Sequence, residues 1–269
     1  WNMGDLPYED RACSDNHDKI PYMGFFNDTF RDVVKGSTFD RGQKGYIGGD
    51  VSYAFGLKHV IHGCIIDVNY NARFSDANQS INYVECHDNN TLFDKLRISN
   101  PDDDDETLLK RVRLANGLLL CSFGIPFIHM GQEIALSKKG NDNTYNVLKL
   151  NQMDWTLVDE RYEMVNFLKG LIHFRKKLKL FSLHSREDVG DAIEFNETPN
   201  CVIMECHQPD LILGAESALC IINPTDNIEN IPLDGEYDLI FSSPGKLPKI
   251  YKVTNYLSAP RVLAILIKR

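Results

Sequence analysis

The chain has 269 residues, of which 43% are hydrophobic, 10% aromatic and 25% charged, a globular composition that excludes intrinsic disorder. Its 29 Lys and Arg stand against 38 Asp and Glu, and the net charge of −9 argues against a nucleic-acid partner. No apolar stretch approaches the roughly 18 to 20 residues of a membrane-spanning helix, so no membrane partner is predicted either.

Between about residues 20 and 180, short apolar runs alternate with amphipathic segments, the pattern of βα units with a parallel sheet. The first run, 23–26, predicts a strand, and a helix is predicted over 29–34. The glycine-rich segment 36–50 matches no phosphate-binding motif, which favours a flexible loop. A second helix is predicted over 51–61.

Two further apolar runs predict strands over 81–86 and 124–130. Between them, the acidic run 102–106 is interpreted as a helix start, because carboxylates interact favourably with the positive end of a helix dipole. A calcium ligand set is the alternative interpretation of this run. A polar loop over 138–154 then precedes an amphipathic pattern at 155–172, which predicts a helix facing the core.

After about residue 181 the helical period disappears, and short β-rich runs separated by turn-forming clusters predict an all-β domain, expected to be a sandwich. These runs are 192–195, 201–206, 218–222, 237–241 and 262–267.

Seven cysteines, an odd number without a CxxC pair, lie partly within apolar runs where a thiol packs as a small hydrophobe. Disulfides are rare in reducing compartments, so free buried thiols are expected and the cytoplasm is the expected location. No Cys/His spacing matches a zinc site, and the pair His59 and His62 lacks the acidic residue of an HExxH motif. No metal site is therefore predicted.

Polar residues that directly follow a buried parallel strand are the first candidates for chemistry, because ligands bind beyond the carboxyl ends of such strands. His87, Asp88 and Asn89 follow the run 81–86. An Asx turn, with Asp88 bonding to backbone amides, is the alternative. After the run 124–130, Glu133 is a candidate for catalysis, for an ion pair or for a helix cap.

The segment 81–95, INYVECHDNNTLFDK, resembles the last signature region of the α-amylase clan in the form typical of type I pullulanases. Three other segments support the resemblance. GIPFIHMGQE at 124–133 is similar to the eighth barrel strand of those enzymes, and FFNDTFRD at 25–32 is similar to the sixth. GNDNTYN at 140–146, with NQMDW at 151–155, is similar to the loop and the start of the eighth helix.

The resemblance implies an α/β fold in which residues 1–180 form the C-terminal half of a catalytic (β/α)8 TIM barrel. Residues 181–269 would then be the C-terminal β-sandwich domain. It also implies a retaining glycosidase that hydrolyses α-1,6 linkages of pullulan, starch dextrins or glycogen, with an α-glucan as partner. No cofactor is required for that chemistry, and calcium binding stays open.

The resemblance also implies roles for individual residues. Asp88 corresponds to the acid that stabilises the transition state, and His87 is its companion at the same sugar ring. The further substrate-binding residues implied are Asn89, Trp1, Asn143 and Tyr145. For Trp1, a disordered chain end is the alternative, and the loop with Asn143 and Tyr145 has a merely solvated surface as its alternative.

The family's nucleophilic Asp and acid/base Glu lie upstream of the segments matched here, and Trp1 resembles the Trp that follows that Glu. We therefore expect this chain alone to be inactive and to need the missing upstream part of the same polypeptide, since a half barrel leaves edges unpaired. Two alternatives remain. One is another clan hydrolase, such as an isoamylase, a glycogen-debranching or an α-1,4-acting enzyme; the other is a noncatalytic glucan-binding module.

Overall fold

A computed structural model describes residues 6–67, 71–243 and 250–269. Two sheets follow each other along these ranges, a three-stranded sheet first and a six-stranded sheet after it. No helix within the described ranges has the length and apolar character needed to cross a membrane.

The first sheet consists of neighbouring parallel strands in the order β1-β2-β3. Its strands are β1 Phe25–Asn27, β2 Ser80–Asn82 and β3 Ile125–Pro126. The parallel order confirms the predicted βα pattern, because parallel neighbours need a crossover between them. The strands are shorter than predicted, since the chain leaves the sheet after Asn82 and covers 83–86 without ladder pairing.

Helices occupy most of the crossovers and the segment that follows the first sheet. The α-helices are α1 Asp28–Lys35, α2 Ala54–Ile61, α3 Leu92–Ser99, α4 Asp105–Leu120, α5 Leu148–Asn151, α6 Thr156–Glu160, α7 Tyr162–Lys177 and α8 Arg186–Ala192. Short 3-10 helices lie at Tyr8–Asp10, Ser14–Lys19, Tyr46–Gly48, Val51–Tyr53, Ala77–Gln79, Gln132–Ile134, Leu180–Ser182 and Pro209–Leu211.

The acidic run before α4 is a helix start, as predicted. The side chain of Asp104 accepts a hydrogen bond from the Thr107 amide, which satisfies one of the unpaired N–H groups of the first turn. The neighbouring Asp103 pairs with Arg111, about two turns further on, at 2.6 Å between Oδ2 and Nε. The carboxylates of this run therefore cap the helix and pair with an arginine.

Two predicted segments differ in the structure. In the segment 36–50, predicted as a flexible loop, Tyr46 and Ile47 are fully buried in the main core, and the Tyr46 hydroxyl donates to the Ile222 carbonyl in the second sheet. In the predicted helix 155–172, Trp155 is 70% exposed and precedes α6. The buried face of α7 is formed instead by Met164, Phe167, Leu168 and Leu171.

The second sheet is antiparallel, in the order β4-β5-β6-β9-β7-β8. Its strands are β4 Glu194–Glu197, β5 Val202–Cys206, β6 Ser217–Asn223, β7 Glu229–Ser242, β8 Tyr251–Ser258 and β9 Val262–Lys268. One hydrogen-bonded sheet runs through all six strands of the described residues, and the sandwich stays a prediction. An all-β region was expected after residue 181, but the helix α8 also lies there, and β8 was not predicted.

The central strands of the second sheet, β5, β6 and β9, are buried on both faces. One face joins the main core, where α4 crosses β9 closely enough that a Cβ on Gly117 would lie 3.1 Å from the Leu263 side chain. The other face carries a separate apolar cluster that includes Ile221, Tyr237 and Leu266. Continuous burial on both faces explains why these strands are rich in β-branched and aliphatic residues.

Candidate active site

The segment that follows β2 turns outward at His87 and Asp88, whose side chains are 70% and 52% exposed. The His87 Nε2 atom lies 3.2 Å from the Asp88 Oδ1 atom. The two predicted residues therefore lie side by side at the carboxyl end of a parallel strand, where ligands of α/β sheets bind. A carboxylate this exposed, paired with a ring, is available to a ligand.

The segment between β2 and His87 is held from behind by Glu85, which is buried. Its Oε2 atom accepts a hydrogen bond from the Leu92 amide at 2.6 Å, and its Oε1 atom lies 2.9 Å from the His129 Nδ1 atom. Glu85 thus connects the first turn of α3 with the segment after β3. Glu85 is not among the residues predicted from the sequence, although a charge within an apolar strand run is a signal for a buried partner.

The residues after β3 serve the local structure. His129 is satisfied by Glu85, in line with a structural histidine. Glu133 caps its own turn, where Oε2 accepts a hydrogen bond from the Gly131 amide at 2.9 Å. Of the three interpretations kept open for Glu133, the geometry therefore favours the cap.

The end of β1 carries a second polar group beside the site. The Tyr83 hydroxyl donates to Asp28 Oδ1 at 2.6 Å and accepts a hydrogen bond from Arg31 at 2.7 Å. Burial and the bond to Asp28 raise the pKa of Tyr83, so the phenol stays protonated. This chain of bonds fixes the segment after β2 to the start of α1.

A buried ammonium lies behind the exposed pair. Burial lowers the pKa of Lys35, at the end of α1, to about 8, and the charge of Glu85 opposes that shift. Burial also raises the pKa of the Cys86 thiol, which therefore remains neutral and unreactive at pH 7. The groups that precede or interact with the segment of His87 and Asp88 are therefore the neutral Cys86 thiol, the Glu85 carboxylate and the Lys35 ammonium.

Asn89 and Asn143 contact each other. The Asn89 amide donates to Asn143 Oδ1 at 3.0 Å, and the Asn89 side chain donates to the same oxygen at 3.4 Å. Both residues have positive φ angles, 58° and 39°, a conformation that asparagine tolerates better than most residues. The structure therefore brings these two separately predicted residues together, and their hydrogen bonds hold two loops against each other.

The ring of Tyr145 lies beside the exposed side chains of His87 and Asp88. Its side chain is 64% exposed, and its ring centroid lies 6.3 Å from that of His87 at an interplanar angle of 74°. Such an edge-to-face arrangement leaves a tyrosine face open to the solvent side. Trp1, the remaining predicted contact, lies outside the described residues.

Within the described ranges, no group of three or more His, Cys, Asp or Glu side chains is arranged to hold a metal ion. The cysteines described there are all free thiols, and five of the seven are buried.

An imidazole, a carboxylate, two amides and an exposed tyrosine thus meet at the carboxyl end of a parallel strand. Such a group suits a polar ligand, because it offers hydrogen bonds and an aromatic face. No family model matches the sequence.

Comparison with known proteins identifies the relatives. Over 196 residues the chain is 37% identical to a pullulanase of Bacillus subtilis strain 168, covering 72% of this chain and 27% of that protein. It is 27% identical over 186 residues to a glycogen operon protein GlgX homolog of Mycobacterium tuberculosis, covering 58% of this chain and 24% of that protein.

Solved structures agree. The type I pullulanase of Bacillus subtilis, crystallised with maltose, superposes with a TM-score of 0.93 at 30% identity, over 100% of this chain and 38% of that one. A pullulanase of Anoxybacillus sp. LM18-11 with maltotetraose gives 0.90 at 32% identity, over 100% and 38%. The chain is a relative of the type I pullulanases and matches their C-terminal part, and it spans well under half of their length.

Proposed function

We propose that this chain is part of a pullulanase-type debranching enzyme that hydrolyses α-1,6-glucosidic linkages in pullulan, starch dextrins or glycogen. The observation that carries the proposal is the exposed His87–Asp88 pair at the carboxyl end of β2. The similarity to pullulanases of known structure supports it, because the similarity extends over the whole chain.

The proposed architecture is the C-terminal half of a (β/α)8 barrel over residues 1–180, followed by a C-terminal domain over 181–269. The parallel order β1-β2-β3 supports a barrel segment, since barrel strands are neighbours in chain order. Phe26 and Ile125 support it too. They are large apolar side chains left exposed on the short sheet, and the missing upstream part of the same polypeptide would cover them.

The proposed reaction retains configuration at the anomeric carbon. A nucleophilic carboxylate and an acid/base carboxylic acid, both supplied by the upstream part, act on either side of the scissile bond. Asp88 is the third acid. It accepts hydrogen bonds from sugar hydroxyls and stabilises the positive charge that develops on the ring. The chain alone is therefore proposed to be inactive, because one carboxylate cannot both form and resolve a glycosyl-enzyme.

His87 donates to the same sugar ring and orients Asp88, at 3.2 Å from its carboxylate. Tyr145 supports a stacking contact, because its exposed face lies beside His87. Asn89 and Asn143 are proposed to line the neighbouring subsite, and Trp1 is proposed as a further contact. No cofactor is needed for these steps, calcium stays open, and the free thiols support the cytoplasmic proposal.

The experiment is to incubate the complete protein that carries this segment with pullulan and, separately, with unbranched amylose. Maltotriose released from pullulan, with amylose left intact, is the expected result, since α-1,6 cleavage of pullulan yields that trisaccharide. Cleavage of amylose would instead favour an α-1,4-acting member of the clan. Binding of oligosaccharide without cleavage of either glucan would favour a noncatalytic glucan-binding module.

A further inference from the structure

One lysine close to the site occupies a cage of backbone oxygens. Lys95 lies in the first half of α3, and only 2% of its surface is exposed. Its Nζ atom donates to the carbonyl oxygens of Asp40, Arg41 and Gln43, at 3.1, 2.9 and 2.7 Å. One ammonium group thus holds three carbonyls of a single loop, an arrangement otherwise used to bind a small cation.

The charge state suits that cage. Burial lowers the pKa of Lys95 to about 8, and the carboxylates of Asp40 and Asp32 oppose the shift. At pH 7 the group is therefore mainly the ammonium form, with one proton for each of the three carbonyls. A buried cation without such partners would be strongly unfavourable, so the carbonyl cage is what allows a charge at this position.

The loop held by Lys95 reaches the substrate-binding candidates through one ion pair. Arg41 contacts Asp142 at 2.5 Å, and the other oxygen of Asp142 accepts a hydrogen bond from the Asn143 amide at 2.9 Å. The Asn143 side chain in turn accepts from the Asn89 amide. The contacts are continuous from the cage to the loop segment that carries Asn143.

Asp94, the residue before Lys95, holds a second loop, the one that leads to Asn143. The buried carboxylate of Asp94 accepts hydrogen bonds from the Ser137 hydroxyl at 2.6 Å and from the Lys138 amide at 2.7 Å. Lys138 then donates through Nζ to the carbonyl of Asn89 at 2.5 Å. Two adjacent, oppositely charged residues of one helical turn therefore anchor the two loops that meet at the site.

We propose that Lys95 is a positioning residue of the glucan site, in which its ammonium group acts as a tethered cation. By holding the loop 40–43, it fixes the segment that carries Asn143 and Tyr145. The expected change in KM for pullulan rests on the proposed function. The cation cage itself rests only on the contacts of Lys95.

The test compares Lys95→Ala with Lys95→Met in the complete protein. The alanine variant leaves a cation-sized space lined by carbonyls, whereas methionine fills that space without charge. We expect KM for pullulan to rise about tenfold in both variants while kcat changes less, because a displaced loop weakens substrate binding first. Adding about 0.1 M ammonium or potassium chloride should restore KM in Lys95→Ala and not in Lys95→Met, because only the open cage binds a free ion.

A readout that needs no activity separates this inference from the proposed function. The melting temperature of Lys95→Ala should rise with ammonium chloride relative to tetramethylammonium chloride of equal ionic strength, since only the smaller ion fits the cage. If Lys95→Ala does not fold, Lys95→Gln, which keeps two donors, takes its place in the kinetic comparison. Lys110→Ala is the matched control, since Lys110 forms a surface pair with Glu106 on α4.

Two results would overturn the proposal. One is a melting temperature of Lys95→Ala that responds equally to ammonium and tetramethylammonium, which would show that no cation cage exists. The other is an unchanged KM in a folded Lys95→Ala protein that cleaves pullulan, which would leave the cage without a role at the site. If the wild-type protein cleaves no pullulan, the proposed function fails and the melting experiment still decides on the cage.

Discussion

The two sheets of this chain differ in the length of their strands and in the burial of their side chains. The first has strands of two or three residues and leaves Phe26 and Ile125 exposed, whereas β7 of the second sheet alone has 14 residues. The central strands of the second sheet are buried on both faces. The candidate site follows a strand of the first sheet, the one with short strands and exposed apolar side chains.

The two regions also differ in what is buried. Every buried charged side chain of the described ranges lies before residue 181. Those that surround the site are Arg31, Lys35, Glu85, Asp94, Lys95 and Lys138. The buried polar side chains of the second region are serines and one asparagine. Buried charges near the site fix long loops at defined positions, whereas the second sheet is held by apolar packing and its ladder.

The largest effect should come from the site itself. Asp88→Asn in the complete protein should lower kcat on pullulan by about 10²–10³-fold, because the amide cannot offset the charge of the transition state. The melting temperature should not change, since the side chain is half exposed. Asp159→Asn, an exposed carboxylate on α6, is the matched control. Equal activity of the two variants would remove Asp88 from the mechanism.

In the second sheet, the largest effect should fall on stability. Ile221 in β6 is fully buried, so Ile221→Ala should lower the free energy of unfolding by about 2–5 kcal/mol, as large-to-small core substitutions do. Leu257→Ala on β8, where the side chain is exposed, should change it by less than about 0.5 kcal/mol. Urea unfolding measures both. Similar losses for the two variants would contradict the burial pattern described for this sheet.

The contact between the regions should depend on pH through His62. Its ring is buried against Phe195, at 5.1 Å between centroids, and its Nδ1 atom has no hydrogen-bond partner in the described ranges. Burial lowers the pKa of His62 to about 4. Because the unfolded state then binds the proton more tightly, this group should cost about 2 kcal/mol of stability between pH 8 and pH 5.

His62→Leu should therefore flatten the loss of stability on acidification, as measured by melting temperatures at pH 8 and pH 5. His173→Leu is the control, because His173 is exposed on α7. If the two variants lose stability equally between these pH values, the lowered pKa of His62 has no consequence for the contact between the regions.

The smallest effect is expected at the loop contact. Asn143→Ala removes the oxygen that accepts from the Asn89 amide, a loss of about 1 kcal/mol that corresponds to roughly a fivefold rise in KM for pullulan. The value of kcat should change little. Asn146→Ala, an exposed asparagine of the same loop, should leave KM unchanged. A rise in KM for both variants would indicate a general disturbance of the loop.

Local patterns predict the candidates His87 and Asp88, because polar residues follow an apolar run, and the structure places the two side chains next to each other. The start of α4 was also predicted, because its cap lies within one turn. The resemblance implied Asn89 and Asn143 separately as substrate-binding residues, and their contact, between residues 54 apart in the chain, was not predicted.

The remainder depends on contacts that no local pattern encodes. Lys95 bonds to carbonyls 52 to 55 residues away, and Glu85 bonds to His129 at a distance of 44 residues. The strand order of the second sheet is a further case, since alternating runs do not reveal which strands are neighbours. The register shifts in β7, between Pro232 and Tyr237 and between Leu239 and Phe241, also depend on the partner strands.

The most direct test of the account is the structure of the complete protein with Asp88→Asn and a bound branched maltooligosaccharide. The account predicts a glucose ring with hydroxyl groups within about 3.2 Å of His87 and of the substituted position, as hydrogen bonds require, and a face of the ring against Tyr145. An oligosaccharide bound elsewhere, with no contact to the segment after β2, would contradict the assignment of this strand end as the active site.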